Sequence, residues 1–286
     1  ALFAYLGRHV SNAAAGLVLE ERLGTAKAQA SAIDHVLEDA VERLQHATTH
    51  ISLKDNTLEP ERAALHELSQ EKYFAAGIYL FDDQGKLILA EPETGKASTV
   101  TIPHVEAVIG GQKPLRVVTF VEGTPARPVA CLAVPVVDQR GKIVGVVAGY
   151  IDLASSPVSD FIRKAEVGST GYAELVDDDG TVLLSQRLER VGTLSDHASY
   201  LAQRINTRQP SVSKCHSCHQ ADAGTIRQDE MLTFVPLASV PWGVALRQPQ
   251  QEAFHVAWLL MQRTYLLGGV SLLVALLSVA LVTGIM

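Results

Sequence analysis

"AVPVVDQRGKIVGVVAGYIDL", residues 133–153, decides the fold, because the chain carries a second version of it. The stretch reads as an apolar run, a turn at Asp138 to Gly141, and another apolar run, which is the pattern of strand, turn, strand. "FVPLASVPWGVAL", residues 234–246, repeats it. Each is preceded by another hairpin: "GIYLFDDQGKLILA" (77–90), and "GYAELVDDDGTVLLS" (171–185) with Asp178-Asp179-Gly180 at its bend. Hairpin, helical connection, hairpin thus occurs twice, over 72–153 and again over 168–250. A self-similar period constrains architecture more than any single strand assignment. The expected class is α+β, with two tandem modules built on antiparallel sheets. "SSPVSDFIRKAEVGSTG" (155–171) is the bridge, expected as a helix ending in Gly168.

Upstream the period changes. Leu19, Leu23, Ala26, Ala30, Ile33, Leu37, Ala40, Leu44, Ala47 and Ile51 alternate in steps of four and three, a period of 3.5 that predicts one long helix. No proline falls before Pro60. The many alanines favour close approach, either to the chain's own modules or to a partner helix, so residues 19–51 are a candidate homodimer contact. Downstream, "YLLGGVSLLVALLSVALVTGIM" (265–286) holds no charged residue and is long enough to span a bilayer. Trp258 and Tyr265 are placed to anchor at headgroups; the competing reading is a buried core helix. "ALFAYLG" (1–7) is apolar but interrupted by Arg8 and His9, as at the tail of a first membrane helix or after a removed signal peptide. The domain boundaries expected are 1–71 for the long helix, 72–154 and 155–253 for the two modules, and 254–286 for the membrane helix.

The chain has 286 residues, 47% of them apolar, and a net charge of −7, which argues against nucleic acid as a partner. No nucleophile–base pair or carboxylate pair stands out, so an enzyme is not expected.

A long N-terminal helix, two PAS-like modules and a membrane helix resemble the double Cache extracytoplasmic sensor domain. The residues that carry the resemblance are "AVPVVDQRGKIVGVVAGYIDL" in the first module and "GSTGYAELVDDDGTVLLS" with "FVPLASVPWGVALRQPQQEAF" in the second. The resemblance implies a sensor anchored in the cell membrane with its soluble part in the periplasm, as in histidine kinases and chemoreceptors. It also implies an organic ligand in the first module, where Arg116, Arg127, Tyr150 and Asp152 are polar groups in plausible places. Surface or hairpin-end roles fit those four equally well.

One segment departs from that pattern. "KCHSCHQADAG" (214–224) contains Cys215-His216-Ser217-Cys218-His219, the Cys-x-x-Cys-His attachment motif of c-type haem. Two thiols at this spacing form thioethers to the porphyrin vinyl groups, and the following histidine reaches the iron as an axial ligand. A zinc site would need a second ligand pair, a thioredoxin-type dithiol a different fold, and a Cys215–Cys218 disulfide would close a strained ring. The expectation is one covalent haem on Cys215, Cys218 and His219, in an inserted loop spanning 211–229. For the sixth iron position the candidates are His197, expected at a helix start capped by Ser195 or Asp196, and Met231; an open or water-bound site is the alternative. His46 and His50, four residues apart, could clip a metal, and Cys131 in an apolar strand reads as a core thiol. Two functions follow: a membrane-anchored haem Cache sensor of redox state or a diatomic gas, or a monohaem cytochrome subunit of a membrane electron-transfer complex with a redox partner.

Overall fold

The computed structural model describes residues 2–53, 58–92, 105, 108–110, 116–122, 127–215 and 229–285. The repeat appears as two five-stranded antiparallel sheets. The first comprises β1 (Gly77–Asp82), β2 (Leu87–Glu91), β3 (Arg116–Glu122), β4 (Arg127–Val137) and β5 (Ile143–Asp152), in the order β2-β1-β5-β4-β3. The second comprises β6 (Tyr172–Asp177), β7 (Val182–Ser185), β8 (Ser211–Cys215), β9 (Glu230–Pro236) and β10 (Trp242–Pro249), in the order β7-β6-β10-β9-β8. Strand for strand, the two orders coincide.

The two edge strands β3 and β8 lie beyond the hairpins read from the sequence. The loop expected over 211–229 therefore begins late: residues 211–215 pair with β9, from Ser211 opposite Phe234 to Cys215 opposite Glu230. "SVSKC" is short and polar, so its pairing comes from the neighbouring strand rather than from its own composition.

Helix α1 runs from Leu2 to Thr48 and α2 from Glu59 to Ser69, so the helix expected over 1–71 is two. Thr48 and Thr49 return their hydroxyls to the carbonyls of Gln45 and His46 at 2.7 and 2.6 Å, closing the last turn. Leu53 then takes a φ of 51°. The buried carboxylate of Glu61 accepts from the amides of Ser52 and Leu53, and Pro60 opens α2. The bridge helix α3 is likewise shorter than expected, Pro157–Arg163. Gly168 lies beyond it with φ +69°, where a Cβ would fall 2.1 Å from the Gln248 amide nitrogen. It belongs to a tight turn rather than to a helix end.

From Ala26 to Ile51 every position of the 3.5-period seam is buried. The seam packs against one face of both sheets and joins them in one apolar cluster: Ile78, Leu132 and Val147 from the first, Leu175, Trp242 and Val244 from the second. The other face of each sheet has its own smaller cluster. Polar contacts fix the register. Asp34 of α1 accepts from the amides of Ala238 and Ser239, each at 2.8 Å, and from the Ser239 hydroxyl, which ties α1 to the β9–β10 turn.

The remaining helices are α4 (Ala198–Thr207), α5 (Gln250–Ala253) and α6 (His255–Ile285). Among the described residues α6 is the one helix long and apolar enough to cross a membrane, and its leucines are exposed rather than packed as in a core helix. The first turns of α1 run beside it: a Cβ on Gly7 would lie 2.9 Å from the Tyr265 ring.

Removing the Asp34 carboxylate leaves two amides of the 238–239 turn without their charged acceptor. Asp34→Ala should cost about 1.5–3 kcal/mol, read as a lower urea midpoint with an unchanged m-value.

Candidate functional site

The second sheet carries charge where a core is expected. On the face turned away from α1, Glu174 of β6 is 0% exposed and Arg247 of β10 is 1% exposed. The Arg247 Nε donates to Glu174 Oε2 at 2.9 Å, and its Nη2 donates to the Ser195 hydroxyl at 2.8 Å. Arg190, from the 3₁₀ turn Leu188–Arg190, donates to the other Glu174 oxygen at 2.6 Å and pairs with Asp196 at 3.2 Å. Burial works against the Arg190 charge, but the Glu174 carboxylate overcomes it, so its pKa is raised. The third nitrogen of Arg247, Nη1, stands 3.7 Å from both Asp196 and Glu230. Two arginines thus share three carboxylates, an arrangement that buried charge requires if it is to survive the loss of water.

Local sequence explains the assembly. Gly180, with φ +82°, ends the β6–β7 turn, and a Cβ there would lie 2.5 Å from Ala198. Its carbonyl accepts from the Ser195 amide at 2.8 Å, so the segment before α4 is laid across the turn. His197 is itself the N-cap residue of α4 and makes no side-chain cap bond. Ser195 and Asp196, expected as caps, are recruited by the arginines instead.

Glu230 connects this network to a cavity of about 570 Å³ at the end of the sheet where α6 departs. Its walls include Tyr172, Arg187, Asp229, Glu230, Glu252 and His255. Burial pushes the Tyr172 phenol up to about 12, and the Arg187 guanidinium lies 3.9 Å over its ring. Glu252, on α5, accepts from the amides of Ser169 and Thr170, the Thr170 hydroxyl and the Gln248 amide. Partial burial raises its pKa, but the hydrogen bonds from Thr170 and Ser169 outweigh this and hold it down at about 2. The carboxylate clasps the start of the membrane-directed segment to the 168–171 turn.

Of the residues expected at the haem, Cys218 and His219 lie outside the described residues, as does the side chain of Cys215; the Cys215 backbone closes β8 opposite Glu230. His197 is half-buried, on the same face of the sheet as the arginines. Met231 is 1% exposed in β9, and strand alternation turns it to the opposite face from Glu230 and Leu232. His255 was not among the candidates. It opens α6 on the cavity wall; its position just before an apolar helix was the signal available. In the first sheet Arg127 pairs with Asp152, and Tyr150 is buried edge-on to Tyr79, ring centres 5.0 Å apart. Arg116 opens β3. Cys131 is 1% exposed, and burial pushes its thiol up to about 12 despite a hydrogen bond from Tyr150, as suits a core thiol.

Residues 10–256 match the Cache domain in its double form. No curated protein matches the sequence. Among solved structures, the ligand-binding domain of the Pseudomonas aeruginosa PAO1 amino acid chemoreceptor PctC, in complex with GABA, is similar at 22% identity. The match has a TM-score of 0.58 and covers 80% of this chain and 98% of that one. The ligand-binding domain of Pseudomonas fluorescens chemoreceptor CtaA, in complex with L-isoleucine, is similar at 20% identity. Its TM-score is 0.59, covering 86% of this chain and 98% of that one. The extracellular domain of the histidine kinase mmHK1S-Z2 has a TM-score of 0.63 at 14% identity, covering 83% and 99%.

Two measurements check this layer. Arg247→Met leaves Glu174 with Arg190 as its one cation and removes the donor to Ser195, and should lower stability by about 1.5–3 kcal/mol, seen in urea unfolding. The Glu252 clasp contributes stability above the ordinary carboxylate value of 4.5 and loses it as pH falls towards about 2. Between those limits the wild type should lose thermal stability faster than Glu252→Gln; parallel curves would refute the clasp.

Proposed function

This chain belongs to the Cache domain family, and on that premise we propose that it is an extracytoplasmic sensor held in the membrane by α6, with a c-type haem as its sensing group in the second module. Cys215 and Cys218 would hold it covalently, and His219 would ligate its iron. Bound there, it would supply an iron whose charge and coordination respond to redox state or to a diatomic gas.

One observation carries the reading. The residues bracketing the motif are wired to the membrane helix over a very short path. Cys215 and Glu230 face each other in the β8–β9 ladder, and Glu230 reaches the buried Arg247 of β10. β10 continues through α5 into α6, and the amide of Gln250 donates to the carbonyl of Asp229 at 2.8 Å. A change of charge at the motif would therefore have a short route to Glu230 and Arg247. Arg247 Nη1, held equally far from Asp196 and Glu230, is the group whose pairing would shift.

The donor set of the neighbouring cavity suits such a group. Tyr172 offers an aromatic wall, Arg187 a guanidinium for a propionate, and His255 an imidazole. His197 stands on the same sheet face, so two histidines compete for the sixth position. Met231, turned to the other face, would have to leave the core.

The test is the optical spectrum of the purified membrane protein, oxidised and reduced, with and without carbon monoxide. The expected result is a haem band that survives acid–acetone extraction and disappears in the Cys215→Ser/Cys218→Ser double variant. His255→Ala should convert a low-spin iron to high-spin, and His197→Ala should leave it low-spin; the reverse result would give the position to His197. A chain matured in a c-type host with no extraction-resistant haem would overturn the proposal.

A further inference from the structure

Apart from the Arg247 network, α1 and α2 flank an open cavity of about 490 Å³ whose chemistry the sensor reading does not use. His46 and His50 stand on its α1 wall, Glu67 on its α2 wall, and Ala47 and Ala64 leave the space between open. The two imidazoles come from neighbouring turns, as a four-residue spacing dictates. Beyond Thr48 the chain tightens into a 3₁₀-type turn, with the His50 amide donating to the Ala47 carbonyl at 3.0 Å, and this turn keeps His50 beside His46. The ring centres are 5.3 Å apart and the planes 80° from parallel. Two imidazoles on one tetrahedral ion, with metal–nitrogen bonds of about 2.0–2.1 Å, place their ring centres about 5 Å apart. The separation of the two rings thus matches that of two ligands on one ion.

Charge points the same way. Arg43 is the cation on this wall, and it is committed to Asp39 and Glu71, each at 2.9 Å. Glu42, one turn before His46, and Glu67 make no ion pair among the described residues, so the cavity keeps a negative lining. Among the described residues neither histidine is bonded to a carboxylate, unlike His66, whose Nδ1 lies 3.0 Å from Glu91.

We propose that this cavity binds a divalent transition ion of the zinc, nickel or copper type, chelated by His46 and His50. No group of three histidine, cysteine, aspartate or glutamate side chains closes to ligating distance among the described residues, so water completes the coordination, with Glu42 and Glu67 as acceptors for it. Two nitrogen ligands select these ions over calcium and magnesium, which are held by oxygen. A site with open positions exchanges its ion, unlike a closed structural zinc centre. It would give the first module an input of its own, close to where α1 ends against α2.

The test uses the whole chain in detergent, in the Cys215→Ser/Cys218→Ser background so that free thiols cannot compete. Titration with Zn²⁺ followed by calorimetry should give one site per chain. Cu²⁺ at that site should give an electron paramagnetic resonance signal split by two nitrogens. His46→Ala and His50→Ala should each weaken Zn²⁺ binding roughly tenfold or more, since even outer-shell losses at metal sites cost about 10-fold. His35→Ala, on the same helix but off the cavity wall, should leave it unchanged. Both histidines are exposed, and the metal-free melting temperature of each variant checks that the fold is intact. Smaller losses in the two variants, displacement of Zn²⁺ by excess Ca²⁺, or an equal loss in His35→Ala would overturn the proposal.

Discussion

Both sheets rest on a single helix. The seam of α1 from Ala26 to Ala47, continued by Ile51 just past its end, is buried, and it faces apolar residues of the first and second sheets within one continuous cluster. Neither sheet can slide along that helix without opening the other's core, because close-packed interiors give little room for graded movement. The alanines at 26, 30, 40 and 47 let the sheets come close, and Asp34 fastens the second of them by its β9–β10 turn. The heptad-like period that would suit a coiled coil is spent on intramolecular packing over this stretch.

The second sheet adds a constraint of another kind. Its α1-facing side is apolar, while its other side holds Glu174, Arg190 and Arg247 among hydrogen-bonding partners. Hydrophobic contact tolerates small adjustments, but a buried charge without its partner does not. The same face carries His197 and borders the cavity with Tyr172 and His255. Packing makes this module continuous with the first, and the charged layer fixes the positions of β6, β10 and the segment before α4 relative to one another.

Much of this was legible beforehand. The repeat was visible because two apolar hairpins recur, each preceded by a hairpin whose turn ends in a glycine, Gly85 and Gly180, and the two sheets do share one strand order. The seam was visible because its period is that of a helix. What escaped reading depends on partners distant in sequence. β8 is too short and polar to announce itself and exists because β9 offers a ladder. The α1–α2 break is set by Glu61 capturing two amides, and the vacancy at the α4 cap follows from Ser195 bonding a residue 52 positions away. In "EAFHVAW" the place of His255 before an apolar helix is a weak signal, and the cavity it lines forms only when the second sheet folds against that helix start. The Cys-x-x-Cys-His motif is legible in the opposite sense: its chemistry is plain from spacing, while its surroundings depend on the fold.

The tie between Asp34 and Ala238 spans 204 residues. At ordinary synthesis rates of about 5–20 residues per second, those residues take roughly 10–40 s to emerge. Throughout that interval α1 has no second sheet to cover its seam. α1 is made before either sheet and is thus the last of the three to be satisfied, and an apolar helix left waiting is a ready target for whatever binds nascent chains. The architecture therefore favours a route in which the polypeptide is kept unfolded until it is nearly complete, with closure of α1 against the β9–β10 turn as a late step of maturation.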